Sequence, residues 1–345
     1  MSQRLDEISL LRPITIGLLV VMHAFTMYAG NWSLPEGIHP VRAYFWVQKL
    51  SFGCMLEMFV FISGYIFGFQ LYGQKRDFKF WPLVFNKLKR LILPSSLFSF
   101  LYIVCFTDIL VQHQWGALVY GTLAGYAHMW FLPMLFWCFI GSWLLVRTKL
   151  NDVIVLSGLL VLSIFSHLPL PLQLNSACYY LFFFYLGMCL FKHRDLWLSY
   201  AQKRPYAIVA ALVVYLAMVV LQTRTIEYLQ GFEAESRLDQ VLVYAQINVC
   251  KLSYAVVGVV VLYLMALYVI SRKSLSSFTL DLNKYCFAIY LIQQFVLIWV
   301  YYHTPLPVWV GSYWLPWIGT VGTLIVSYAT ARLILLSRTG RYLIG

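Results

Sequence analysis

Apolar runs free of charge, each close to the length of a membrane-crossing helix, recur along the whole chain. Short polar stretches between them hold most of the Lys, Arg, Asp and Glu. A helix needs about 20 apolar residues to cross the hydrocarbon of a bilayer. On that measure spans are predicted at roughly 13–30, 45–72, 91–110, 128–147, 152–168, 176–191, 205–222, 244–270, 285–302 and 316–336. The first run, LLRPITIGLLVVMHAF from residue 10 to 25, lacks a small-residue cleavage motif before the next polar stretch and reads as a retained span. The expected fold is therefore all-α: a polytopic transmembrane helix bundle of about ten spans with both termini on one side. Residues 1–345 are expected to form a single membrane-embedded domain with no appended soluble domain and no internal repeat.

Composition agrees with the pattern. Hydrophobic residues make up 61% of the chain and charged residues 11%, against about a quarter charged in soluble domains. The mean hydropathy is +0.76. The net charge of +12 invites a nucleic-acid reading, but its placement excludes one. Of the 25 Lys and Arg, all but Arg42, Lys49, Arg224, Arg237 and Lys251 fall on the side that holds the termini. That is the positive-inside bias, so the termini are expected in the cytoplasm. The other side leans acidic, with Glu227, Glu233, Glu235 and Asp239 in one segment. The seven cysteines form no C-x-x-C pair and fall mostly inside spans, as packing residues rather than a disulfide framework; no metal site is expected.

Chemistry must then sit inside the membrane domain. Arg12 and His23 are separated by ten residues, which leaves them about 20° apart around a helix and about 16 Å apart along it. One face of the first helix thus carries a cation at its mouth and an imidazole near mid-bilayer, with Pro13 expected in the first turn. Arg12 also suits an interface anchor, and His23 a hydrogen bond that glues helices together, although an ionisable residue inside the bilayer marks a functional site by default. In the second span, CMLEMFVFISGYIFGF, Glu57 is the one acid, at a depth that permits contact with His23; Lys49 is its other candidate partner. Ser63 and Gly64 equally suit close helix packing. Six cations lie between Lys75 and Arg90, the last three being Lys87, Lys89 and Arg90. Lys87 and Arg90 share a helical face and could hold the phosphates of a polyanion, while topology alone also explains several of the six. His128 and Trp130 open the fourth span ahead of Pro133, and Gln293 and Gln294 place two amides in apolar helix, where they need partners.

Taken in order, Arg12-x10-His23, FVFISGY, KLKRLILP, HMWFLP and YLIQQ resemble acyltransferase family 3, bacterial integral-membrane enzymes that move acyl groups onto carbohydrates. The resemblance spans roughly residues 5 to 335. It implies acyl-CoA, most simply acetyl-CoA, as a cytoplasmic co-substrate whose phosphates meet Arg12, Lys87, Lys89 and Arg90. It implies His23 as general base or transient acyl carrier, oriented by Glu57. Trp130, Ser63 or Tyr65 would be oxyanion donors, and His128, Tyr65 and Gln293 would be substrate contacts. The acceptor would be a sugar hydroxyl at the outer face of a bacterial inner membrane, where the aromatic-rich HTPLPVWVGSYWLP loop could stack on pyranose rings. Two positions depart from the family pattern: Lys87 stands where an arginine is usual, which loses the bidentate fork, and Gln293 stands where a histidine is common. A secondary transporter or flippase for a lipid-linked or small anionic solute is the alternative. Against it, the chain lacks the related halves with paired broken helices common in transporters.

Overall fold

The structure, a computed structural model, describes residues 4–167, 170–232 and 236–344; Glu233 and Glu235 of the acidic segment lie outside them. All regular structure among the described residues is helical. In order the helices are α1 (Asp6–Ala24), α2 (Arg42–Phe52), α3 (Met55–Gly68), α4 (Phe80–Lys87), α5 (Leu93–Phe106), α6 (Trp115–Ala124) and α7 (Phe131–Arg147). They continue as α8 (Asp152–Ile164), α9 (Leu174–Lys192), α10 (Arg194–Lys203), α11 (Pro205–Gln230) and α12 (Arg237–Arg272). The last three are α13 (Ser277–Tyr302), α14 (Leu306–Leu336) and α15 (Arg338–Ile344). The protein is a polytopic helical bundle. Among the described residues, 9 helical stretches are long and apolar enough to cross a membrane, α2 with α3 and α4 with α5 each counting as one.

The fifth expected span, 152–168, is shorter than predicted. Helix α8 has 13 residues and rises about 20 Å, where the hydrocarbon is about 30 Å thick. Local chemistry sets both ends. Asn151 Oδ1 accepts from the Val153 N–H (2.8 Å) at the start. The SHLPLP sequence beyond residue 165 cannot continue a helix. Asn248 Nδ2 then donates to the Ile164 carbonyl (3.0 Å), satisfying one of the last open acceptors.

Several crossings also run longer than expected, the third beginning at Phe80 rather than 91, and three further differences bear on packing. Helix α1 begins at Asp6, so Pro13 sits two turns inside it and not in its first turn. The Pro13 ring removes the bond to the Ser9 carbonyl, and the helix still forms, with Asp6 and Glu7 favourably placed in its first turn. The second crossing is broken between α2 and α3. Gly53 adopts φ 23° and ψ −108° there, and the Cys54 N–H freed by the break donates to Tyr215 Oη (3.0 Å). A Cβ on Gly53 would run into that same phenol. The stretch from Leu306 to Pro316, expected as loop, is helical and continuous with α14 apart from a break at Gly311 (φ 73°).

The chain divides into two compact units. The first comprises Met1–Phe59, Leu196–Arg224 and Tyr254–Gly345; the second comprises Val60–Asp195 and Thr225–Ser253. In the first unit α1 packs against α2, α13 and α14, around a core of Ala24, Phe25, Met27, Ile38, Leu297, Tyr301 and Leu315. In the second unit α9 lies against α7 and α8. There Gly64 and Gly68 on α3 meet the backbone of Phe184 and Met188 on α9, and Gly187 meets Phe61 in return.

Candidate functional site

Arg12 and His23 both lie on α1, half-buried, so the predicted one-helix geometry holds. His23, however, occupies the last turn rather than the middle of its helix. After Ala24 the chain tightens into a 3₁₀ turn, Thr26–Ala29, and reverses at Gly30 (φ 78°). The Arg12 guanidinium has no hydrogen bond or ion pair among the described residues; its electrostatic neighbour is Cys286 on α13. A half-buried cation without a counter-ion is costly unless an anion arrives to meet it.

His23 Nδ1 lies 3.1 Å from Gln293 Oε1 on α13. An amide oxygen can only accept, so the ring proton is on Nδ1 and the Nε2 lone pair is the basic one. Gln293 is wholly buried. Its Nε2, and Oε1 of Gln294, find no hydrogen-bond partner among the described residues, so the predicted pair of amides is satisfied only in part. Glu57, the partner first considered for His23, is buried in the first turn of α3, with Cys54 and Tyr215 as electrostatic neighbours.

The other predicted residues belong to the second unit. The Lys87 ammonium sits 3.3 Å above the Phe139 ring, a cation–π contact, while Lys89 and Arg90 are exposed. A π turn over Leu88–Ile92 interrupts the α-helical spacing that put Lys87 and Arg90 on one face. Arg76 and Arg90 are nonetheless close enough to Lys87 to repel it, which marks a basic surface. His128 is buried in a 3₁₀ turn beside Trp130, whose ring meets Tyr180 at 6.0 Å. Ser63 is half-buried. Tyr65 is wholly buried between Phe61 and Phe191.

Sequence reading passed over three groups. Glu7, in the first turn of α1, is fully buried, and Gln48 on α2 is nearly so. Trp32 stacks parallel to His23. The glycine–asparagine turn before Trp32 was the available clue, since it folds the next residue back over the helix end.

Comparison with known proteins supplies the class. The family model described as an acyltransferase domain, Acyl_transf_3, matches residues 5–332. The chain belongs to this acyltransferase family, and is a multi-pass membrane acyltransferase rather than a solute carrier. No curated protein and no solved structure matches it.

Proposed function

We propose that the protein transfers an acyl group, acetyl in the simplest case, from cytoplasmic acyl-CoA to a carbohydrate hydroxyl of a cell-surface or exported glycan. The work would be done in the bacterial inner membrane. One observation carries the reading: a single helix holds a guanidinium with no counter-ion among the described residues and, eleven residues on, an imidazole whose Nδ1 is already engaged.

In this mechanism Arg12 grips a donor phosphate at the cytoplasmic end of α1. The interval to His23, about 16 Å along the helix, is comparable with the reach of a pantetheine arm. His23 Nε2 takes the proton of the acceptor hydroxyl as its oxygen attacks the thioester carbonyl carbon. A carbon–oxygen bond forms, the carbon–sulfur bond breaks, and the departing thiolate receives the proton from His23. Gln293 keeps the ring in the tautomer this needs, as the orienting member of a catalytic triad does. Within the second unit, Lys87, Lys89 and Arg90 form a basic surface suited to coenzyme A phosphates. Ser63, Trp130 and Tyr65 are the candidate oxyanion donors there, and His128 is a candidate acceptor contact.

The test is purified protein supplied with acetyl-CoA and surface glycan, with thiol release followed over time. His23→Ala should lower turnover by about 10²- to 10⁴-fold while the protein stays monodisperse and equally heat-stable. Full turnover in that variant sinks the mechanism and leaves the family assignment standing.

A further inference from the structure

Resting on the proposal that the acceptor is a carbohydrate, the structure points to where its sugar ring lies. The Trp32 and His23 rings are parallel, with planes 3° apart and centroids separated by 6.1 Å. Trp32 is half-buried in the non-helical segment between Gly30 and α2. That segment is tied down just after the indole and again further along. Tyr302 Oη donates to the Ser33 carbonyl (2.7 Å), and the His39 N–H donates to Ser312 Oγ (2.8 Å). The Tyr302 ring meets the indole edge-on at 6.4 Å. The platform is therefore held in place before any ligand arrives.

The indole N–H of Trp32 is open, as are those of the half-buried Trp46, Trp130 and Trp197 among the described residues; Trp32 differs from these in facing His23. Tryptophans that pack into a protein usually give that proton to an acceptor. Trp143 donates to the Phe78 carbonyl, Trp137 to the Leu172 carbonyl and Trp317 to Tyr44 Oη. Trp32 has no acceptor among the described residues. A ring parallel to the proposed base, with an open donor on its rim, suits a ligand with an apolar C–H face and oxygens at its edge. A pyranose has both. The segment from Asn31 to Val41 carries one charged side chain, the exposed Glu36, and no Lys or Arg, which favours an uncharged ring over an anionic one.

We propose that Trp32 is the platform of the acceptor subsite. An uncharged sugar ring rests on the part of the indole that the protein leaves open, the N–H donates to a ring or hydroxyl oxygen, and a neighbouring hydroxyl is delivered to His23 Nε2.

The test uses full-length variants in cells lacking the chromosomal copy, with acyl esters on total surface carbohydrate measured by mass spectrometry. Calorimetric binding of free coenzyme A to the purified proteins reports the donor side. Trp32→Ala should cut glycan acylation by up to about tenfold, the size of a lost aromatic contact, with coenzyme A affinity unchanged and the protein still folded. Trp32→Phe, which keeps a ring and loses the donor, should fall between. Wild-type acylation in Trp32→Ala overturns the subsite, and so does a loss of acylation accompanied by an equal loss of coenzyme A binding or of folded protein. The underlying reading fails differently: His23→Ala that still acylates removes the base, and wild-type cells whose glycans gain no acyl ester remove the carbohydrate acceptor and the platform with it.

Discussion

His23 draws its orientation from a residue 270 positions away in the chain. The acceptor on its Nδ1 is an uncharged amide. What the ring requires of position 293 is an oxygen that accepts. Gln293→Leu should therefore lower kcat by about 10²-fold, the scale of a misaligned catalytic group. Gln293→Glu keeps an acceptor at that point and should recover most of the rate. Steady-state kinetics of the two variants checks this, and equal losses in both would show that packing, not the hydrogen bond, is what matters. Sequence reasoning picked out both His23 and Gln293, because ionisable and amide groups stand out in apolar helix. It matched Glu57 to His23 by depth and did not foresee that Gln293 takes the Nδ1 side of the ring. Depth is legible from periodicity; which faces meet is decided by the rotation of helices remote in sequence, and no spacing rule encodes that.

At the level of helices, the FVFISGY stretch has a concrete packing role. Gly64 lies where α3 crosses α9 in contact with the Phe184 carbonyl, and a side chain there would collide with backbone that has no room to move. Gly64→Ala should destabilise the second unit by about 1–3 kcal/mol, as overpacking does. A lower melting temperature in detergent would show it, whereas an unchanged one would mean that α9 can shift. Sequence reading left Gly64 open between packing and chemistry, and this contact accounts for it by packing. The neighbouring basic stretch shows the opposite case. An i, i+3 argument for Lys87 and Arg90 presumes α-helical geometry, and the π turn over Leu88–Ile92 breaks that premise without leaving a mark in the residue pattern.

Across the whole molecule, hydropathy located nearly every crossing. The bilayer demands long apolar helices with every backbone group satisfied, a constraint strong enough to be read from composition. The weak point is α8, whose 13 residues are short for the hydrocarbon. Charge offers the deciding argument. Without a crossing at α8, the cations from Lys192 through Arg341 would move to the opposite side and the positive-inside bias would vanish. The Asn248 contact gives the end of this short helix a hydrogen-bond partner within the second unit. A fluorescent protein fused after the last residue should accordingly fluoresce in the cytoplasm, and an alkaline phosphatase fusion at the same point should be inactive. The reverse pair of results would mean an odd number of crossings.

The break at Gly53 has a consequence for how the protein is made. Synthesis runs from the N-terminus, so the broken α2–α3 crossing enters the lipid with the Cys54 amide lacking its acceptor. The phenol that completes it is 161 residues downstream. Until that residue has been inserted, the early crossing carries an open donor in a solvent that cannot satisfy it, and final assembly of the first unit waits on α11.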